Sequence, residues 1–564
     1  MNPERLEAVG TPPRTVAGQV VDALAEAGVD VVFGIPGGAV APLYAAVMHR
    51  PGIRLITAKH ETGAMFMCLG YSIATGKPGA VFTTAGPGIT NALTGLASAY
   101  YEGVPVVHIA GEVPRGSFGR GALQESSAWG LDAMAMTRSI TRFSAQLMRP
   151  GSVEGTVRKA LAAACGGRRG PVFLSLPLDV AAMPAEATAN RGQVRSAHEV
   201  DTEACFDAAR MLGGAARPLI LAGAGCRSRT NRAALRRLAE RLGAPVAVTC
   251  KGKGVFPEDH PLYLGLFGFG GHDSVTKYLL EGVDVVMVCG SGLNDFSTNA
   301  WSPLLRPRNA MIQIDIDPSQ LGRNYPIHLG LVGPVDVVIP RLLEAPLPDL
   351  SRSPASFEPA LQRAEPSRRG LLTICEVVQA MNEVCPRDSF YTADMGEHLS
   401  IALHYLRVRE EGDFLACLGF GSMGSGICAA IGHQIGAPSR PTFAICGDGG
   451  FLMYGNELTT AVQHGAATTF VVINDSRLNM VHHGMCDLYG ASPDFSTQEI
   501  DFAAFARTLG AAGELIRTRE QLTSALARKR SSPVVLDVRV DPDVRLGGSQ
   551  RDAALRQFTD APHE

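Results

Sequence analysis

The sequence predicts a multi-domain α/β protein with parallel sheets, and three observations support that prediction. Short runs rich in Val and Ile repeatedly follow amphipathic stretches and end in glycine turns, as in VVDALAEAG followed by VDVVFGIPGG. These runs are continuously apolar, as expected for strands that helices cover on both faces. The chain has 564 residues, which is too many for one hydrophobic core.

The same unit of amphipathic helix, apolar strand and glycine turn recurs along the chain and predicts the further strands in sequence order. The further strand-like runs and turns are GAVFTTAGPG with the helix ITNALTGLASAYYEG, then PVVHIAG, RPLILAGAG, VDVVMVCGSG, NAMIQIDIDP, RPTFAICGDGG and ATTFVVINDS. Two polar stretches rich in Pro and Ala, around residues 184–201 and 344–370, interrupt the pattern and indicate linkers. We therefore expect three domains, over residues 1–185, 200–345 and 370–545.

Composition excludes several classes of protein. Acidic and basic residues nearly cancel, 54 against 51, and no basic run is present, so nucleic acid is not an expected partner. The sequence has neither the apolar core of a signal peptide nor a membrane-length apolar stretch, which favours a cytoplasmic protein without membrane association. The twelve cysteines show no CxxC or metal-like spacing and are expected to be reduced thiols.

Two aspartates directly follow predicted strands in the last third of the chain. RPTFAICGDGG is predicted to be a strand ending at Gly447, with Asp448 at its carboxyl edge and FLMYGNELTTAVQHG as the following helix. ATTFVVINDS is predicted to be the next strand, which brings Asp475 to the same edge. Ligands of parallel sheets bind at this edge, and free N–H groups at a helix start suit a phosphate. The pattern predicts an oxygen-lined Mg²⁺ site beside a diphosphate, with simple helix or turn capping as the alternative.

Several segments resemble one known family. GDG followed by an Asn-containing pair one crossover later is similar to the signature of thiamine-diphosphate-dependent enzymes. Further segments are similar, in the same order, to motifs of the acetolactate synthase-like group: VFGIPGGAVAPLY (32–44), AKHETGAMFMCLGYSIATGKPG (58–79), TTAGPGITNALTGLASAY (83–100), GSMGSGICAAIGHQIGA (421–437) and SRLNMV (476–481). The resemblance spans nearly the whole chain. It implies a pyrimidine-binding domain, a central Rossmann-like domain and a diphosphate-binding domain, in that order.

The resemblance also implies the cofactors, thiamine diphosphate and Mg²⁺, and the residues that hold them. The metal ligands would be the carboxylates of Asp448 and Asp475 and the main-chain carbonyl of Arg477, although the second position is usually Asn in this family. The remaining positions that match coenzyme contacts are Pro87, Asn91, Gly396, Glu397, His398, Gly421, Met423, Gly447, Gly449 and Gly450. Among these, Glu397 replaces a usual glutamine, and Met423 matches the bulky residue that bends the coenzyme.

Glu61 in KHET matches the catalytic glutamate of the family, which holds a proton on the far nitrogen of the aminopyrimidine ring. Position alone favours a solvated helix-start Glu, but the apolar stretch TGAMFMCLG after it suits a raised carboxyl pKa. Gln124 in GALQES, and Gly37 and Gly38 in IPGG, match active-site residues of the acetolactate synthases. The resemblance therefore implies transfer of an acyl group from a 2-oxo acid, with pyruvate favoured, to a second carbonyl compound.

Two departures from the family pattern argue against the ordinary biosynthetic enzyme. GSGLND places Gly292 where the family has an FAD-contacting arginine, which argues against bound FAD. Gly484 stands where a tryptophan narrows the acceptor pocket, so an acceptor larger than pyruvate is expected. His482 and His483 beside it are candidates to hydrogen-bond or protonate the acceptor, with surface histidines on a helix as the equal alternative.

Other activities stay open on sequence alone. They are a flavin-free 2-oxo acid decarboxylase that releases an aldehyde, an enzyme that transfers the acyl group to phosphate or coenzyme A, and a catalytically inactive relative. GEVPRG in the first third has no paired histidines beside it, where the common decarboxylases keep proton donors, and this favours transfer. In the family the glutamate and metal domains meet across a subunit interface, so a homodimer or homotetramer is expected.

Overall fold

Three six-stranded sheets, in each of which every strand pair is parallel, confirm the predicted α/β class. The computed structural model describes residues 14–186, 199–345 and 357–546, so part of each predicted linker lies outside the described residues. These residues form two compact units. Within the described part of the chain, no helix is long and apolar enough to cross a membrane.

The first unit contains the N-terminal sheet, with strand order β2-β1-β3-β4-β6-β5. Its described residues are 14–186, Gly419–Pro438 and Thr459–His464. The strands are β1 (Val31–Gly34), β2 (Arg54–Thr57), β3 (Gly79–Thr83), β4 (Val106–Glu112), β5 (Phe143–Gln146) and β6 (Val172–Pro177). The helices are α1 (Val16–Glu26), α2 (Ala41–Met48), α3 (Glu61–Thr75), α4 (Pro87–Glu102), α5 (Ala133–Arg138), α6 (Pro150–Cys165) and α7 (Leu178–Ala182).

The second unit contains the other two sheets. The central sheet has the order β12-β11-β10-β7-β8-β9. Its strands are β7 (Pro218–Ala222), β8 (Val246–Thr249), β9 (Tyr263–Phe267), β10 (Val285–Cys289), β11 (Ala310–Asp315) and β12 (Leu329–Val332). Its helices are α8 (Thr202–Gly213), α9 (Arg229–Leu242), α10 (Asp273–Leu280), α11 (Asp295–Thr298) and α12 (Val335–Leu343). Most of these strands are buried along their whole length, as their continuously apolar sequences predicted.

The C-terminal sheet has the order β14-β13-β15-β16-β18-β17. Its strands are β13 (Phe390–Ala393), β14 (Asp413–Leu415), β15 (Thr442–Gly447), β16 (Thr469–Asn474), β17 (Ala512–Ile516) and β18 (Val534–Arg539). The helices of this part of the chain are α13 (Ile374–Val384), α14 (Glu397–Tyr405), α15 (Ser425–Gly436), α16 (Asp448–Tyr454), α17 (Leu458–Gln463), α18 (Asn479–Tyr489), α19 (Phe502–Thr508) and α20 (Arg519–Ala527). Of these, α15 and all but the first residue of α17 belong to the first unit.

One predicted helix differs in the structure. FLMYGNELTTAVQHG was expected to be continuous, but α16 ends at Tyr454, a 3₁₀ turn covers Gly455–Glu457, and α17 follows. Tyr454 has φ −131° and ψ 8°, which leaves the helical region and breaks the i to i−4 hydrogen bonding. The buried ring of Phe451 occupies the space beside Gly455, where a Cβ atom would lie 2.9 Å from it. The close approach of the Phe451 ring therefore requires a glycine at position 455, and sequence periodicity does not reveal this contact.

Helices α3 and α15 cross at glycines on both sides. A Cβ atom on Gly70 would lie 1.9 Å from the carbonyl oxygen of Ala429, and one on Gly432 would lie 1.8 Å from that of Met67. The two backbones are thus in direct contact, which only residues without side chains allow. Because α3 begins at Glu61 and α15 begins just after Met423, this crossing fixes the relative position of two predicted site segments.

Replacing Gly70 by Ala is expected to destabilise the first unit by about 3 kcal/mol, at the upper end of the usual cost of overpacking, because the obstacle is backbone. Gly155 in α6 gives a matched control, since a Cβ atom there meets nothing within 4 Å. Gly155→Ala is expected to be neutral or to stabilise by up to about 1 kcal/mol through helix propensity. Denaturant unfolding of both variants measures the difference, and equal stabilities would contradict the tight crossing.

Candidate active site

Glu61 lies at the carboxyl edge of the N-terminal sheet, as the first residue of α3. The preceding residue, His60, caps the helix by accepting the Thr62 N–H at Nδ1, 3.1 Å away. The Glu61 side chain is 8% exposed, and its Oε2 accepts a hydrogen bond from Asn91 Nδ2 at 3.0 Å. The other oxygen, Oε1, has no hydrogen-bond partner among the described residues. One oxygen is therefore held in place while the other is available to a ligand.

Asn91, which the resemblance predicts to contact the pyrimidine ring, lies beside Glu61 in the structure. From α4 its amide donates to the Glu61 carboxylate. Pro87, the first residue of α4, is exposed at the same end of that helix. Tyr44 also lies near Glu61, since burial and the charge of the Glu61 carboxylate raise the pKa of the Tyr44 phenol. Tyr44 lies in a motif noted above but was not predicted as a site residue.

Gln124 lies beside the turns that follow β1 and β3. The Thr84 hydroxyl donates to Gln124 Oε1 at 3.4 Å, and a Cβ atom on Gly37 would come within 2.6 Å of Thr84 Cβ. Gly38 begins a 3₁₀ turn and has open space where a side chain would project. Gln124 has a φ of 65°, an unfavourable conformation for a non-glycine residue. The predicted Gly37 and Gln124 are thus brought together through Thr84, which sequence reasoning missed.

Ser126 maintains this conformation of the Gln124 loop. Its hydroxyl donates to the Gln124 carbonyl at 3.0 Å and accepts the Gly86 N–H at 2.8 Å. Its own N–H donates to the buried carboxylate of Glu112 at 3.1 Å. Because three neighbours fix the loop, the strained φ of Gln124 is held by its surroundings, as is common at functional sites.

The segment with Gly421 and Met423 packs against the C-terminal half of α4. Gly419 N–H donates to the Glu102 carboxylate at 2.9 Å, and the hydroxyls of Ser422 and Ser98 are 3.0 Å apart. Asn91, which holds Glu61, lies seven residues before Ser98, about 10 Å along the helix axis at 1.5 Å per residue. Within one chain, the two predicted coenzyme-contacting ends thus lie at different parts of α4.

Asp448 occupies the carboxyl edge of the C-terminal sheet, as predicted. β15 ends at Gly447 and pairs in parallel with β16, so Asp448 and Asp475 follow neighbouring strands. Asp448 Oδ1 accepts the Gly449 N–H at 2.7 Å, whereas Oδ2 is buried without a hydrogen-bond partner among the described residues. Burial raises the pKa of this carboxyl. An unpartnered buried carboxylate oxygen is costly unless a cation or donor binds it.

Asp475 adds a second carboxylate at the same place. Burial and the neighbouring Asp448 raise the pKa of Asp475 to about 7. Its Oδ1 accepts the Arg477 N–H at 3.1 Å, and its Oδ2 accepts from the Asn479 amide. The Arg477 carbonyl accepts the Asn479 N–H at 2.9 Å and keeps a second lone pair for a metal. Asn479, in the SRLNMV motif, is a site residue that the sequence did not single out.

A diphosphate fits the neighbouring backbone. His398 is buried with its Nε2 unpartnered, and burial lowers its pKa to about 4, so the ring is neutral. It lies against Gly396 and Gly447, where added Cβ atoms would come within 2.5 and 3.2 Å of its Cε1. Helices α14 and α16 begin at Glu397 and Asp448, with free N–H groups at this edge. Among the described residues no group of three or more His, Cys, Asp and Glu forms a metal cage, so phosphate and carbonyl oxygens would complete the coordination.

Comparisons with known proteins agree with this arrangement. Three thiamine pyrophosphate enzyme models match the chain: the N-terminal TPP binding domain over residues 14–136, the central domain over 206–342 and the C-terminal TPP binding domain over 394–538. The acetolactate synthase large subunit of Parasynechococcus marenigrum is 32% identical over 94% of this chain and 88% of its own length. The acetolactate synthase isozyme 2 large subunit of Escherichia coli is 30% identical over 93% of this chain and 95% of its own length.

The chain belongs to the thiamine-diphosphate-dependent enzymes of the acetolactate synthase and decarboxylase family. A solved structure of the thiamine diphosphate-dependent 4-hydroxybenzoylformate decarboxylase of Rhodococcus jostii RHA1 also resembles it, with a TM-score of 0.83 and 25% identity. That likeness covers 93% of this chain and 99% of the decarboxylase. Carboligases and decarboxylases are thus both similar to this chain over nearly its whole length.

Gly292, the position at which the resemblance implies an FAD-contacting arginine, lies in the central domain of this thiamine-diphosphate-dependent enzyme. Gly292 follows β10, and a Cβ atom there would lie 2.6 Å from the Gln320 side-chain oxygen. The Asn324 amide donates to the Gly292 carbonyl at 2.7 Å and to the Leu293 carbonyl at 3.1 Å. The Gln320 side chain therefore lies where a side chain at position 292 would begin.

Helix α18 of this thiamine-diphosphate-dependent enzyme carries the other residues that the sequence singled out, His482, His483 and Gly484. His483 Nδ1 lies 3.5 Å from Glu397 Oε2, and the His482 ring lies 5.6 Å from that of His483. A Cβ atom on Gly484 meets nothing within 4 Å. Asn479 is the one buried residue of the helix within the described chain. The structure brings His483 to the predicted diphosphate-binding segment and leaves the space beside Gly484 open.

Proposed function

We propose that this enzyme is a carboligase that uses thiamine diphosphate and Mg²⁺ to decarboxylate a 2-oxo acid, with pyruvate as the favoured donor. The acyl group is then joined to a second carbonyl compound larger than pyruvate. The observation that carries this proposal is Gln124, which is held at a strained φ on the sheet edge that also carries Glu61. Its amide oxygen contacts Thr84, and Thr84 in turn lies against Gly37. An oriented amide offers both donor and acceptor groups to a second carbonyl substrate.

Each predicted site residue has a separate role in this reaction. Bound thiamine diphosphate supplies a nucleophilic carbon and an electron sink for the decarboxylation. The free Oε1 of Glu61 holds a proton at the far nitrogen of the pyrimidine ring, while Asn91 keeps the carboxyl in that orientation. Asp448, Asp475 and the Arg477 carbonyl hold Mg²⁺, whose charge compensates the two buried carboxylates. Gly396, His398 and Gly447 surround the diphosphate.

A homodimer is the smallest working unit in this proposal. The Gly421–Met423 segment of a chain contacts α4 around Ser98, whereas Glu61 contacts α4 at Asn91. This separation within one chain supports a site in which a second copy supplies the complementary end. A homotetramer built from two such dimers also satisfies this requirement.

A decarboxylase that releases an aldehyde is the second candidate. Its support is the likeness to 4-hydroxybenzoylformate decarboxylase, whose name describes an aromatic 2-oxo acid, together with the open space at Gly484. An aryl group needs more room than a methyl group, and the missing indole would provide it. Both candidates share the first half of the reaction and differ in what happens after CO₂ leaves.

Product identification separates the two candidates. The purified enzyme is given thiamine diphosphate, Mg²⁺ and carbon-13-labelled pyruvate or benzoylformate, with and without aldehyde and ketone acceptors, and NMR identifies the products. A hydroxyketone or acetohydroxy acid supports the carboligase, whereas an aldehyde alone supports the decarboxylase. The proposal includes no FAD, so the same preparation should release no flavin on denaturation.

Replacing Gly484 by Trp is expected to shift acceptor preference toward small compounds, because an indole would fill the open space on α18. We expect the Michaelis constant for a large acceptor to rise by about tenfold or more, the size of one lost favourable contact of roughly 1.4 kcal/mol. Gly484→Ala is the matched control, since it removes the glycine without filling the space. Equal acceptor preference in the Trp and Ala variants would contradict a pocket at this position.

A further inference from the structure

An ion pair joins two helices of the second unit beside the predicted diphosphate site. Glu397 is the first residue of α14, and His483 lies on α18, 86 positions later in the chain. Glu397 Oε2 and His483 Nδ1 are 3.5 Å apart, and the side chains are only 15% and 13% exposed. Nδ1 of His483 has no hydrogen-bond partner among the described residues, so the contact with Glu397 is electrostatic. Partial burial makes such a contact stronger than one at the surface.

The charge of Glu397 is poorly suited to a diphosphate. A carboxylate has no proton to donate to a phosphate oxygen, and two negative groups repel each other. His483 gives that carboxylate a partner of opposite charge when the imidazole is protonated. The pair therefore removes the repulsion that Glu397 alone would create.

The pairing also fixes the orientation of the imidazole ring. Because Nδ1 faces Glu397, Nε2 is directed away from that carboxylate, on the opposite side of the ring. No hydrogen bond to Nε2 of His483 is found within the described residues. The second nitrogen is thus available to a ligand, whereas the first one is engaged.

The position of His483 on α18 brings it toward the reaction site. Asn479 and His483 are four residues apart and so lie on the same face of the helix. Asn479 donates to Asp475, the predicted metal ligand, which places His483 one turn further along that face. The next residue, Gly484, leaves open space around its Cα. His483 therefore lies one helical turn beyond the residue that contacts Asp475, and the neighbouring position Gly484 has open space where a side chain would project.

On the basis of the function proposed above, we propose that His483 binds the carbonyl oxygen of the second substrate through Nε2, and that Glu397 is the residue that positions it. When the new carbon–carbon bond forms, the π electrons of the acceptor carbonyl move onto its oxygen. The proton on Nε2 passes to this oxygen, and the imidazole regains a proton from water. Glu397 lies against Nδ1 and so holds the ring with Nε2 facing the acceptor, which makes the pair one functional unit.

Three variants test this assignment: Glu397→Gln, His483→Gln and the double variant. We expect His483→Gln to raise the Michaelis constant for the acceptor by about tenfold, the size expected for one hydrogen bond to a charged group. Glu397→Gln should raise it less, and the double variant should be no worse than His483→Gln, because the two residues act together. The dissociation constant of thiamine diphosphate, measured by fluorescence quenching, should change by less than the acceptor Michaelis constant does in His483→Gln, and the comparison of the two constants separates an acceptor contact from a cofactor contact.

The matched control is Glu383→Gln, which makes the same change in a surface ion pair with Arg519 of the same unit, where the two groups are 2.6 Å apart. It should leave all these constants unchanged. Thermal unfolding checks that each variant folds, and His483→Asn replaces His483→Gln if the latter does not.

Other results would overturn the assignment. Additive effects in the double variant would show that the residues act separately, and an unchanged acceptor Michaelis constant in His483→Gln would exclude the substrate contact. Equal weakening of thiamine diphosphate binding in both single variants would assign the pair to the cofactor. A wild-type enzyme that consumes the 2-oxo acid but joins no acceptor would reject the proposed carboligase, and this inference with it. If the wild-type enzyme does join the acceptor, the proposed carboligase stands, and the variants then test only the roles of Glu397 and His483.

Discussion

Glu61→Gln is expected to lower kcat by about 100- to 10,000-fold, the range for losing a general acid–base group. Gln keeps the shape of the side chain but cannot accept and return a proton at the pyrimidine nitrogen. The hydrogen bond that Asn91 donates to Oε2 can be kept by the amide oxygen, so the fold should be unaffected. Steady-state consumption of the 2-oxo acid measures the loss, and thermal unfolding confirms that the variant folds.

Cofactor binding distinguishes a catalytic role of Glu61 from a structural one. Because the diphosphate and metal sites are assigned to other residues, Glu61→Gln should bind thiamine diphosphate with an affinity within several-fold of the wild type. Glu26→Gln is the matched control, since Glu26 pairs with Arg158 on the surface of the same unit. Retention of wild-type turnover by Glu61→Gln would remove the resemblance-based assignment of the catalytic acid.

Asp448→Asn is expected to weaken Mg²⁺-dependent binding of thiamine diphosphate by more than about 100-fold, since losses of 10- to 100-fold already follow from mutating residues that only support metal ligands. The apoprotein should be at least as stable as the wild type, because the change removes a buried charge whose Oδ2 has no partner. The variant should therefore lose the rise in Tm that the cofactors give the wild-type enzyme. Calorimetry with and without thiamine diphosphate and Mg²⁺ measures both effects.

Asp475→Asn provides the control for this prediction. It restores the amide that the family usually has and removes the carboxylate that Asp448 and burial hold at a raised pKa. We expect this variant to keep the cofactor-dependent rise in Tm, because an amide oxygen is also a hard metal ligand. If Asp448→Asn kept the same rise, Asp448 would not be a metal ligand.

The sequence predicted the sheets well, because burial on both faces leaves a direct record in continuously apolar runs such as 442–447 and 469–474. It also predicted that Asp448 and Asp475 lie at one edge, since parallel strands one crossover apart bring their carboxyl ends together. These predictions depend on local pattern and topology alone.

Contacts between distant parts of the chain could not be predicted from the sequence. The amide of Asn91 holds Glu61 across 30 positions, and nothing in the spacing of either residue indicates that contact. The pairing of Glu397 with His483 depends on how two helices pack at the sheet edge, which periodicity does not encode. The contacts of the Phe451 ring with Phe502 and Phe505 are of the same kind, because they join segments about 50 positions apart.

The crossing of α3 and α15 has a consequence for local stability. Backbone meets backbone at Gly70 and Gly432, and no rotamer change at that contact could let the helices slide. By contrast, α18 buries only Asn479 among its described residues. Segments with few buried contacts open at low free energy, whereas tightly packed ones open only with the whole domain. Amide hydrogens at the α3–α15 crossing are thus expected to exchange slowly with solvent, whereas those of α18 are expected to exchange readily.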